Sequence, residues 1–366
     1  MRIVKLAFGA VATGVGVALT YFVFETAVHE SIDFVWMDVF NTDANWWLVP
    51  ILCLTLAFVY FGSRHLLDPK SEKSDDKEAL GGLPKVELSN YGKVIIIGYF
   101  SLLAGASLGP EAILIPSCML VGALIAKNLL KTDKRMQGLL GLVGVASLFT
   151  AFFGSMFAGL LGLYLGAAEA KAKVNIRILI FAAIGIGSTY FVLTLLEPAS
   201  YFAAPDYSWD FEPAHLVGLV FVFASGFALT WLMGKLETTV QANKKRLSSR
   251  DWKKQAIIAG GVLSILYIVG GPLVRFTGNQ SIMPMINQAS ELGLYGLLTV
   301  AIIKIITIVW SKTSGYRGGL IFPTAFVAST ATVICQLYVT DVSYIYGVIA
   351  YFIGAWLINR KTHVLF

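Results

Sequence analysis

Glu111 is the residue whose setting carries the most chemistry. No other Asp or Glu occurs between Glu87 and Asp133. A charged side chain inside an apolar run costs about 2.5–3.5 kcal/mol on insertion scales, so its default reading is functional. Gly109-Pro110 stands directly before it, and proline suits the first turn of a helix. That turn exposes N–H groups with no intrahelical partner and the positive end of the helix dipole. An acid is stabilised there, and so is an anion that takes its place. The bland reading is a first-turn acid facing a headgroup or a lysine. A second glycine-rich run, Ser314-Gly315-Tyr316-Arg317-Gly318-Gly319, leads into Leu320-Ile321-Phe322-Pro323. It predicts another helix start, with the amides of Leu320 and Ile321 at its mouth. The competing reading is a helix-packing loop.

The other reactive side chains point away from metal or redox chemistry. Cys53, Cys118 and Cys335 sit singly in apolar runs with no C-x-x-C spacing, as small buried hydrophobes do. His29, His65, His215 and His363 lie far apart, none with a second histidine one turn away. No metal or cofactor is expected.

The elements that must position these residues are membrane helices. Of 366 residues, 57% are hydrophobic and 14% charged, against about 25% charged in soluble domains. Mean hydropathy is +0.73. So few charges cannot cover a soluble surface. An ordinary cytosolic enzyme, a disordered chain and a disulfide-rich secreted scaffold are excluded, and an all-α polytopic membrane protein is predicted. The net charge of +6 could suggest nucleic acid as a partner. The basic residues instead cluster in short loops between apolar segments, as membrane topology produces, so no nucleic acid is expected. Met1-Arg2-Ile3-Val4-Lys5 leads into an apolar stretch reaching about Val28, with no A-x-A site after it. It reads as a first span, not a cleaved signal.

Apolar segments recur at about 8–24, 47–62, 94–107, 111–130, 137–168, 176–196, 215–233, 256–274, 292–310, 318–338 and 344–358. Their uneven lengths predict tilted, broken and re-entrant helices, and 137–168 is long enough for two. Such pieces persist at membrane depth only where protein or a water-filled cavity satisfies their backbone. The basic loops 171–177 and 244–254 are expected in the cytoplasm and the acidic stretch 197–212 outside. The charge-balanced loop 64–93 reads as a solvated linker. Each half of the chain carries two Gly/Pro interruptions. They are Gly81-Gly82-Leu83-Pro84 and Gly109-Pro110-Glu111, then Gly278 to Pro284 and Gly318 to Pro323. Paired interruptions point to a midplane site in an inverted-repeat transporter, here with halves 1–200 and 201–366.

Those motifs carry a family resemblance. Ala104 to Ala112, AGASLGPEA, resembles the G-x-S-x-G-[RK]-E-G-P motif of the CLC chloride channel and transporter family. Ser314 to Pro323, SGYRGGLIFP, resembles that family's S-G-x-x-G-G-x-F-x-P, and the stretch Thr277 to Ala325 is similar throughout. Phe153 to Leu163, FGSMFAGLLGL, resembles N-A-P-L-A-G-x-L-F, and Gly81 to Pro84 resembles G-S-G-I-P. The match spans about 80 to 360 in the family's order. The resemblance implies a CLC-like inverted repeat. It implies an anion held by backbone N–H groups at Gly81, Gly82, Leu83, Ala112, Ile113, Leu320 and Ile321. Glu111 falls on the family's gating glutamate, whose carboxylate occupies an anion site and swings away when protonated. A homodimer with one pore per subunit is implied as well.

The sequence also departs from the family. Pro110 replaces the Arg or Lys before the glutamate, and Ala112-Ile113 replaces the Gly-Pro after it. Gly81 replaces the serine of G-S-G-I-P, so a hydroxyl ligand is lost. Ile321 stands where the usual Phe would be, with Phe322 beside it. The exchangers' inner proton glutamate falls on Gly166; Glu169 is about one turn later, and Lys171 and Lys173 favour its ionised form. Phe366 ends the chain soon after an apolar segment, where the family normally continues. The expectation is a multi-pass anion channel of CLC type, most simply for chloride, embedded in a lipid bilayer. The alternatives are a proton-coupled antiporter for chloride or fluoride and a non-conducting membrane subunit. A membrane enzyme would need clustered Asp, Glu or His, which the sequence does not offer.

Overall fold

The computed structural model describes residues 2–68, 88–170, 172–197, 212–213, 215–247 and 251–362. Among the described residues it is helical, and its isolated bridge joins Gly109 and Gly319. Nine described segments are long and apolar enough to cross a membrane, from Ile3–Val39 to Ile321–Tyr338. Leu88–Leu103, Met156–Ala168 and Tyr344–Asn359 are shorter apolar helices. This is the all-α, multi-pass membrane architecture that the composition demands, since helices satisfy their own backbone in hydrocarbon.

The chain forms two compact units. The first comprises Met1–Phe34, Arg64–Tyr99 and Glu111–Phe202, and the second Val35–Ser63, Phe100–Pro110 and Ala203–Phe366.

In the first unit, α5 (Lys134–Phe153) packs against α1 (Arg2–Ile32), α4 (Glu111–Leu124), α6 (Met156–Glu169) and α7 (Ile176–Leu196). It is buried continuously from Leu140 to Phe152. Asp133 caps it by accepting from Met136 N–H at 3.0 Å, and Gly154, with φ 58°, ends it in the left-handed region. The apolar run 137–168 is therefore two helices, as its length suggested. Leu6 and Ala10 of α1 meet Leu140 and Val143 of α5 and Phe181 of α7 in one core cluster. Without a hydrophobic drive between helices in lipid, this close packing is what holds them. The helix α1 passes beyond the expected Val28 to Ile32, and a π-helical turn extends it to Val39. Its Glu25 is buried, with Oε2 3.3 Å from His29 Nε2 one turn on.

The second unit holds α2 (Val49–Leu67) up to Ser63, α8 (His215–Leu247), α9 (Trp252–Gly270), α10 (Ile282–Asn287), α11 (Ala289–Ser314), α12 (Ile321–Tyr338) and α13 (Tyr344–Thr362). The helix α3 (Leu88–Leu103) runs from the first unit into the second. α8 and α13 cross so closely that a Cβ on Gly226 would lie 2.1 Å from the Tyr351 carbonyl oxygen. α12 is buried from Phe322 to Cys335 and packs on α8, α11 and α13. Three of its hydroxyls turn back onto its own carbonyls, Ser329 onto Ala325, Thr330 onto Phe326 and Thr332 onto Ala328, and Ser329 also meets Tyr344 Oη of α13 at 2.6 Å. α11 breaks at Gly293, φ 63°. The basic run expected as a loop at 244–254 is only partly one. Lys244, Lys245 and Arg246 belong to the last turns of α8.

Candidate functional site

Glu111 is the first residue of α4, directly after Pro110, and is only 3% exposed. Ala112 and Ile113 complete that turn, with Ile113 fully buried. The predicted helix start is therefore real, and its N–H groups lie at the positive end of the dipole. Pro116 sits one turn further on and brings no N–H to the helix.

In the second unit, α3 ends at Leu103 and the chain turns at Gly105, φ 87°. The segment that follows is tied to the second glycine motif. Gly109 N–H donates to the Gly319 carbonyl at 2.8 Å, and Gly319 N–H returns a bond to Gly109 at 2.7 Å. A Cβ on Gly318 would lie 2.5 Å from Leu108 Cβ and 2.9 Å from the Gly109 oxygen, so this position must be glycine. Ser107 N–H donates to Ser311 Oγ at 3.1 Å, and Arg317 N–H to Ser101 Oγ at 2.8 Å. Tyr316 stacks on Tyr60, with centroids 5.2 Å apart and planes 19° from parallel. Tyr60 Oη donates to the Gly315 carbonyl at 2.8 Å. The two motifs singled out in the sequence, with Gly109 and Gly319 210 positions apart, thus share one backbone bridge.

α12 begins at Ile321, with Leu320 as its cap residue and Thr324 N–H donating to the Leu320 carbonyl at 3.0 Å. Leu320 is buried and Ile321 half-buried. Pro323 brings no N–H, so the amides of this turn come from Leu320, Ile321 and Phe322. Gly81, Gly82 and Leu83 lie outside the described residues. Gly166 lies on α6 against α5, and a Cβ there would be 3.1 Å from Val145 Cγ1. Glu169 is the last residue of α6. Among the described residues no group of three His, Cys, Asp or Glu could hold a metal. Cys53, Cys118 and Cys335 are buried thiols.

Sequence reasoning passed over a second set of polar groups. Lys304 is fully buried on α11, and its Nζ donates to the carbonyls of Phe276 at 2.7 Å and Val274 at 3.2 Å. Phe276 is held in the left-handed region, φ 54°, a conformation that costs a non-glycine residue about 1–2 kcal/mol. Arg275 is buried and reaches Asp43 Oδ1 at 2.8 Å and Thr42 Oγ1 at 3.0 Å. The signal for Lys304 was present, since it is the only charged residue between Glu291 and Lys312. The rule that singled out Glu111 selects it equally well.

Buried helix starts rich in amides, a bridged pair of glycine loops and an intramembrane carboxylate can bind and release a small anion. The solved structure of a slow cyanobacterial Cl-/H+ antiporter matches the fold with a TM-score of 0.77 at 13% identity, over 98% of this chain and 96% of that one. A CLC-type fluoride/proton antiporter matches with a TM-score of 0.67 at 16% identity, over 96% of this chain and 85% of that one. A protein of Escherichia coli O17:K52:H18 described as "Putative ion-transport protein YfeO" is 26% identical over 339 residues, 88% of this chain and 77% of that protein. The profile of the voltage gated chloride channel family matches residues 70–355. On that span, and with the glycine motifs bridged, the chain belongs to the voltage gated chloride channel (CLC) family, as an integral, multi-pass membrane protein with the CLC fold.

Proposed function

We propose that this protein is a chloride-conducting channel gated by Glu111. The observation that carries the reading is the burial of a lone carboxylate as the first residue of a helix inside the hydrophobic span Glu111–Leu129. A carboxylate at that place competes with an anion for the same amides and dipole end. The anion ligands proposed are the backbone N–H groups of Ala112, Ile113, Leu320 and Ile321, joined by those of Gly81, Gly82 and Leu83. Protonation of Glu111 removes its charge and lets an anion take its place, so conduction rises as pH falls. The halves 1–200 and 201–366 are proposed as the two inverted repeats, and the working unit as a homodimer with one pathway per subunit.

A second reading is proton-coupled antiport of chloride or fluoride. Its support is that two proteins of the same fold are described as antiporters of those anions. Against it stands Gly166, which cannot titrate and packs against Val145. The test is purified protein in liposomes under a chloride gradient, with chloride efflux and internal pH recorded together. Chloride efflux without uphill proton movement supports the channel. Uphill proton movement driven by chloride supports the antiporter, and absence of flux supports a non-conducting subunit.

A further inference from the structure

Lys304 is the second lone charge inside an apolar run, and nothing in the gating account uses it. Its ammonium is fully buried, donates to the Phe276 and Val274 carbonyls, and sits 5.4 Å from the centroid of the Phe326 ring. What it grips is a left-handed turn at a phenylalanine, a conformation that only surrounding contacts sustain. Those contacts are on every side. Tyr267 Oη accepts from Phe276 N–H at 2.8 Å and donates to the Gly105 carbonyl. The Trp36 ring meets Phe276 edge-on at 5.0 Å, and Trp36 Nε1 donates to the Leu103 carbonyl at 3.1 Å. Thr277, the next residue, donates from Oγ1 to the Leu108 carbonyl at 2.8 Å.

Three of these bonds, from Trp36, Tyr267 and Thr277, end on the segment 103–108, whose continuation through Gly109 and Pro110 is Glu111. Leu103, Gly105 and Leu108 each give up a carbonyl to the group around Phe276. A purely space-filling residue at 304 would leave the Phe276 carbonyl without its Nζ donor.

We propose that Lys304 is a positioning residue for the gate: its ammonium pins the Phe276 turn, and that turn, through Tyr267 and Thr277, fixes the segment from which Glu111 emerges. The inference rests on Glu111 being the gate and adds the device that sets its place.

The test measures chloride efflux from liposomes against pH for the wild-type protein, Lys304→Met, Lys304→Arg and Tyr267→Phe, each also combined with Glu111→Gln. Loss of one such bond is worth about threefold to tenfold in an equilibrium. Tyr267→Phe and Lys304→Met should therefore move the pH midpoint of efflux by about 0.5–1 unit. Lys304→Arg, which keeps N–H donors, should recover part of the shift. On the Glu111→Gln background the same changes should leave the pH profile unaltered. Tyr267→Phe removes a single oxygen and decides the matter even if Lys304→Met does not fold. A wild-type midpoint in Tyr267→Phe, with Glu111→Gln flattening the profile, overturns the clamp and leaves the gate standing. A wild-type profile in Glu111→Gln overturns both. A midpoint shift of equal size with Glu111 absent overturns the clamp's action through the gate.

Discussion

At the scale of single residues, the site turns on small side chains and on two buried ionisable ones, Glu111 and Lys304. Gly318 is the plainest case, since any Cβ collides with Leu108 and with the carbonyl that bridges Gly109 to Gly319. Gly318→Ala is expected to break that bridge and lower chloride flux at least about tenfold, because displacement of a ligand-bearing loop by a fraction of an ångström weakens every contact it makes. Wild-type flux in Gly318→Ala liposomes would remove the bridge from the account. Gly81 tests the ligand chemistry from the other side. Restoring a hydroxyl with Gly81→Ser should change the relative permeability of chloride, nitrate and bromide more than it changes stability, since pore-lining donors set selectivity. An unaltered permeability series would place Gly81 away from the anion. Glu111 and the glycine motifs were legible in the sequence because Pro110, Gly318 and Gly319 punctuate helix starts. The Phe276 turn was not. A positive φ at phenylalanine has no signature in residue type, and it is sustained by Tyr267, Trp36 and Lys304 from other segments.

At the scale of elements, apolar runs located the helices and small residues fixed how they cross. Gly226 faces the Tyr351 carbonyl at the α8–α13 crossing, whereas an added Cβ at Gly261 of α9 meets nothing within 4 Å. Gly226→Val should destabilise by about 1–3 kcal/mol, the usual cost of overpacking. Gly261→Ala should be neutral or slightly stabilising through helix propensity. Thermal unfolding in detergent checks both, and equal midpoints for the two variants would contradict this view of the crossing. Helix ends were harder to read than helix cores. The sequence placed an apolar segment at 256–274, yet α9 stops at Gly270 and a short 3-10 turn, Pro272–Val274, follows. Hydropathy does not register the left-handed Gly271, φ 71°, that stops the helix. In the opposite direction, the first span, expected to reach about Val28, continues as helix to Ile32. The helix continues because Glu25 pairs with His29 one turn later on the same helix, which lowers the cost of a buried carboxylate.

At the scale of the whole molecule, the fold belongs to a family whose solved members described above include proton-coupled antiporters, and coupling needs a titratable path that a proton can follow. On α6, Gly166 occupies the position that resembles the inner proton glutamate, and its face packs against Val145 and Leu142 of α5. Gly166→Glu would have to displace those side chains. It is expected to reduce stability without conferring coupling, which a chloride-driven proton uptake assay in liposomes would register as no uphill proton movement. If chloride does drive protons uphill in the wild-type protein, Glu169→Gln becomes the decisive variant, and loss of that movement would give Glu169 the relay. The most direct test of the central claim is chloride efflux from liposomes measured across a pH series for the wild-type protein and for Glu111→Gln. The account predicts a wild-type efflux that rises as pH falls, and a Glu111→Gln efflux that is independent of pH and matches or exceeds the wild-type rate at the acid end. Identical pH profiles for the two proteins would contradict it.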